Sequence, residues 1–152
     1  MSCWQVPVAA FFLMASVAQG ADRAGAAVGE IVGTWSGSSV CVDRQAAPAC
    51  NDEQVVYEIN ASPGKPNAVS VKADKVVDGK RVSMGVLEFI RDDASGSWSS
   101  EFETPRFHAL WRLEVNGATV TGTLTLLPSK AVIRKIDLRK EAPRHEPPRS
   151  NT

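Results

Sequence analysis

From Phe107 to Leu127 the chain keeps a strict two-residue rhythm, and that rhythm limits the fold more than any other feature. Phe107, Ala109, Trp111, Leu113 and Val115 fall on one face, with His108, Arg112 and Glu114 on the other and Leu110 as the exception. After Asn116-Gly117 the pattern resumes, Val120, Gly122, Leu124 and Leu126 alternating with Thr119, Thr121, Thr123 and Thr125. Successive side chains of a strand point to opposite faces, so this spacing describes a sheet with one dry face and one wet face. Asn-Gly between two such runs is a hairpin signal, because tight hairpin turns need positive φ.

The same reading extends in both directions. Ile31 to Val42 forms a first run, and Gln54 to Asn60 a second with Val55, Tyr57 and Ile59 on one face. Ser62-Pro63-Gly64-Lys65-Pro66 turns the chain into Ala68 to Val77. Asp78-Gly79 predicts a type I′ hairpin into Lys80 to Arg91. Asp92-Asp93-Ala94-Ser95-Gly96 is a turn, its carboxylates suited to capping backbone amides rather than to acid–base or calcium chemistry. Ser97 to Glu103 follows, broken by Thr104-Pro105-Arg106, and Pro128-Ser129-Lys130 leads into Ala131 to Lys140. No stretch reads as helical. Eight short strands with turns at 8–12-residue spacing predict an all-β fold, and closure removes both sheet edges. The expected architecture is therefore an eight-stranded antiparallel up-and-down β-barrel over residues 30–140, filled by side chains or enclosing one small ligand. Gly85 and Gly122, inside strands, mark expected bulges or bends.

The flanks read differently. Residues 1–20 carry no charge, and Val6 to Ala18 is an apolar run ending in small residues. That predicts a cleaved export signal; a membrane anchor is the alternative, but the run falls short of the about 20 residues a spanning helix needs. Residues 21–29 read as a flexible lead without a packing face. Residues 141–152, rich in proline and charge with no large apolar side chain, read as a disordered tail.

The 152-residue chain holds 17 basic and 17 acidic residues. Neutrality argues against a nucleic-acid partner, which requires a basic surface, and against a stable polybasic membrane anchor. Export would remove Cys3 and leave Cys41 and Cys50, which are expected to form a disulfide. Their spacing matches neither a zinc pattern nor a Cys-x-x-Cys redox pair. The periplasm or extracellular space is the expected location.

Gly33-Thr34-Trp35 opens the first strand. With seven meandering strands after it, the chain resembles the calycin superfamily, lipocalins and avidins in particular, and most of all the short lipocalin-like barrels secreted by bacteria. The resemblance covers Glu30 to Lys140. It implies that Trp35 plugs one end of the barrel. It also implies that an arginine of the last strand packs across the indole; Arg134, on the more apolar face of its strand, is the candidate, with exposure at the barrel rim as the alternative. Two departures stand out. No Thr-Asp-Tyr motif is found, and Gly37 occupies the position where the avidin opening has Asn, so no biotin site carries over.

The chemical inventory is sparse. His108 is expected to face solvent and His145 lies in the tail; no nucleophile elbow, zinc-protease motif or phosphate loop occurs. The expectation is a protein that is not an enzyme and calls for no metal or cofactor. Tyr57, Phe89, Trp98 and Trp111 are the expected ligand-lining residues, joined by Phe102 and Phe107, with Ser83, Ser100 and Lys75 as polar additions if they point inward. The same residues could equally fill a core. Gly33, Trp35 and Arg134 are expected to be structural. The expected function is an exported module that holds a small hydrophobic molecule. The alternative is an inhibitor of an exported protease or lysozyme, touching its partner through residues 21–29 or the Cys41–Cys50 loop.

Overall fold

The computed structural model describes residues 19–127 and 129–143. Residues 1–18, where most of the expected export signal falls, and 144–152, most of the expected tail, lie outside the described residues. A helix, α1 (Gln19–Ile31), precedes eight strands: β1 (Gly33–Cys41), β2 (Glu53–Ala61), β3 (Ala68–Val77), β4 (Lys80–Arg91), β5 (Trp98–Glu103), β6 (His108–Asn116), β7 (Thr119–Leu127) and β8 (Val132–Lys140). Each strand pairs antiparallel with its sequence neighbour, and β8 returns to β1, closing the barrel. The expected all-β meander is thus the observed one.

The turns follow their residue chemistry. Asp78 and Gly79 both take positive φ, 50° and 74°, as a type I′ hairpin requires. In the second hairpin only Gly117 does so. Asp92 caps its own turn: its Oδ1 accepts from Ala94 N at 2.8 Å and Ser95 N at 3.2 Å. Those two amides hold its carboxyl below the usual carboxylate range.

Inward-facing residues separate into two clusters. The larger fills the end where β1 begins, with Trp35, Ile59, Val69, Trp98, Leu113, Val120 and Leu138 all buried. Each such side chain contributes about 1.5–3 kcal/mol by leaving water. The smaller cluster, Ala109, Leu124 and Ile133, lies toward the other end, where Ala47 of the β1–β2 loop covers it. A register shift between Leu124 and Thr125 brings Ile133 into this second cluster.

The expectation of a flexible lead over 21–29, and of no helix, is corrected. Ala24, Ala27, Val28 and Ile31 recur at the three-and-four spacing of a helix face; all four are buried or half-buried, the last three against the core. These small residues make that stripe faint in the sequence, and Gly25 and Gly29 on the exposed face lower its helix propensity. The helix covers the filled end of the barrel, and Trp35 Nε1 donates to Ile31 O at 2.7 Å.

Arg134 does not stack on Trp35. In the β1–β8 register Trp35 faces Lys140, whereas Arg134 faces Cys41 at the opposite end. Lys140 Nζ stands 5.1 Å from the Trp35 ring centroid and donates to Glu30 O at 2.8 Å. The cation over the indole is therefore a lysine, in a contact worth about 0.5–2 kcal/mol.

Candidate ligand-binding site

Between the two clusters the barrel is not filled. A cavity of about 350 Å³ lies against Tyr57 of β2, Val71 and Ala73 of β3, Leu87 and Phe89 of β4, Phe102 of β5 and Trp111 of β6. Register explains the void. Ala73 and Gly85 are direct cross-strand partners on the inner face, and between them they offer a single methyl group. A Cβ built on Gly85 would meet nothing within 4 Å. Gly85 has φ 135°, and the β3–β4 register slips beside it, between Ala73 and Asp74, as expected of a bulge. Gly122, the other expected bend, is instead a close approach. A Cβ there would stand 2.7 Å from Arg112 O and from Leu113 Cδ2.

The wall beside this cavity is incomplete. β3 and β4 pair along their whole length, but β4 and β5 pair only through Ile90 with Ser99 and Arg91 with Trp98. Met84 and Val86, which line the cavity, are 43% and 60% exposed, so the void reaches solvent along β4. Val82 and Ile90 add to an apolar strip on the same strand.

Of the residues anticipated as lining, Tyr57, Phe89 and Trp111 meet at the cavity. Trp98 does not; it is 2% exposed in the filled end, where it faces Leu113 in register. Phe107 is 40% exposed and meets Phe102 edge-to-face at 5.9 Å. Ser100 is buried in register with Trp111, Ser83 is exposed, and Lys75 pairs with Val55, a core residue. Gly85 is legible in the sequence as a bend, but not the space that its smallness and that of its partner Ala73 create.

The end opposite α1 carries a polar cluster. Cys41 and Cys50 form the expected disulfide, with Cα atoms 6.0 Å apart. Arg134 Nη1 donates to Ser39 Oγ at 2.7 Å and to Glu53 Oε2 at 3.1 Å. Its Nη2 donates to Asn51 O at 2.9 Å and lies 3.2 Å from Cys50 Sγ. One guanidinium thereby ties the disulfide loop to the barrel interior. Lys75 Nζ stands 3.8 Å from Glu53 Oε1, leaving that carboxylate between two cations.

Tyr57 sits beneath this cluster, 5% exposed. Burial pushes its hydroxyl pKa up to about 12, with the nearby Arg134 charge acting in the opposite sense. The phenol is therefore a neutral donor throughout the ordinary pH range. His108 pairs with Glu101, both partly exposed at the barrel surface. Among the described residues no group of acidic, histidine or cysteine side chains is placed to hold a metal ion, and no helix is long and apolar enough to cross a membrane.

No protein-family model matches this chain, and no curated protein matches its sequence.

Proposed function

We propose that this protein is an exported, lipocalin-like carrier of a small hydrophobic molecule held between Tyr57, Phe89 and Trp111. The observation that carries the reading is the void beside Ala73 and Gly85, lined mainly by apolar side chains and reaching solvent along β4. Its volume of about 350 Å³ falls within the range of ligand pockets. An apolar cavity of about 150 Å³ suffices for a single benzene ring, so a compound of two or three fused rings or a short chain fits here. Export is supported by the apolar run Val6 to Ala18 and by the disulfide, which persists in oxidising compartments. The inhibitor alternative has less support, because residues 21–29 belong to a helix applied to the barrel rather than to a free arm.

The test is binding of 1-aminoanthracene, followed by its fluorescence gain and by quenching of tryptophan emission. The wild-type protein should bind it saturably, and Ala73→Phe, which fills the void, should weaken binding at least about tenfold, roughly what one to two kcal/mol of lost contact produces. Equal binding by the two proteins, or none by either, would reject the carrier reading. Native mass spectrometry of the freshly purified protein gives an independent check for a retained small molecule.

A further inference from the structure

The carrier reading leaves the ligand's chemistry open, and Tyr57 narrows it. The other nine lining residues contribute no side-chain oxygen or nitrogen apart from the indole N–H of Trp111. Tyr57 alone contributes a hydroxyl, and among the described residues no side-chain hydrogen bond engages it. The residue is 5% exposed and lines a cavity open along β4, so its hydroxyl can take a partner from whatever occupies that space. Arg134, the nearest strong cation, is already committed to Ser39, Glu53 and Asn51. The Tyr57 oxygen needs no base beside it, since the neutral phenol donates as it stands.

Resting on the carrier reading, we propose that the ligand is an apolar body bearing one oxygen acceptor, a carbonyl or carboxylate, seated on the Tyr57 hydroxyl. The aromatic and aliphatic residues would enclose the body. The phenol would set its orientation, with the oxygen directed toward the polar end where Glu53, Lys75 and Arg134 cluster. The surplus there is one positive charge, two cations against one carboxylate, which tolerates an anionic head as well as a neutral one. A ligand of the same shape without an acceptor would shut water away from the hydroxyl and offer no bond in return, and that penalty gives the site its selectivity.

A matched pair of probes tests this: 2-acetylnaphthalene and 2-ethylnaphthalene, nearly equal in shape but differing in the carbonyl oxygen. Each is titrated into the full protein by displacement of 1-aminoanthracene. The wild type should favour the ketone by about tenfold, the scale set by one unsatisfied buried donor. In Tyr57→Phe the preference should fall to about twofold or less, with 2-ethylnaphthalene bound at least as well as before. The bound ketone's carbonyl stretch, read by infrared, should move to lower frequency in the wild type and not in Tyr57→Phe. Equal affinity for both probes in the wild type overturns the proposal while leaving the carrier reading intact; failure of both probes to bind overturns the carrier reading itself. Should Tyr57→Phe not fold, the wild-type ratio and infrared shift decide alone.

Discussion

Gly37 shows how tightly single positions are set in this barrel. β1 and β8 approach so closely there that a Cβ would stand 2.0 Å from Asp137 O and 2.9 Å from Leu138 Cα. Both atoms are backbone, so no side-chain rotation relieves the clash. Gly37→Ala should cost about 3 kcal/mol or more, at the upper end of overpacking effects, read as a fall in the denaturation midpoint with unchanged slope. Gly25→Ala makes the control: its Cβ would meet nothing within 4 Å on α1, and it should stabilise slightly. Legibility at this scale is uneven. Trp35 announced itself as a plug, and it is fully buried. Alternation puts Arg134 on the inner face, opposite Leu124, but it fixes only the face. Which end of β1 it meets depends on register, and register places Lys140 rather than Arg134 on the indole.

At the scale of elements, the strands were readable because polar and apolar residues alternate along them and strong turn residues separate them. The helix was not, since its buried stripe consists of two alanines, a valine and a single large residue, Ile31. That residue is fully buried, and its carbonyl accepts the Trp35 indole N–H, so it anchors α1 in two ways. Ile31→Ala should lower stability by about 2–5 kcal/mol, the usual cost of truncating a buried aliphatic side chain, measurable by chemical denaturation. Gly33→Ala should compound the damage at the helix–strand junction, since Gly33 has φ 138° and a Cβ there would press on Lys140 Cε at 3.0 Å. β4 illustrates the opposite limit. Its sequence looks like an ordinary strand, and only Gly85 hints that it bends. Nothing within a strand records how far its neighbour follows it, so the short β4–β5 pairing leaves no trace in the sequence.

For the whole molecule, closure and cavity come from the same arrangement. One end is sealed by α1 and a dense cluster, the other is laced by Arg134 and the disulfide loop, and the unfilled space lies between them. The lace and the gap lie in different walls. Arg134 and Cys41–Cys50 belong to the β8–β1–β2 side, whereas the cavity reaches water along β4. For the proposed carrier, a guest would load sideways, through a seam fastened by two residue pairs, without any loop swinging aside. Thermal resilience and uptake become separable traits: reducing the disulfide should remove about 2–3 kcal/mol of stability. Stopped-flow traces of 1-aminoanthracene capture by the still-folded reduced protein should superimpose on those of the oxidised one. A slower trace after reduction would mean that traffic passes beneath the loop instead.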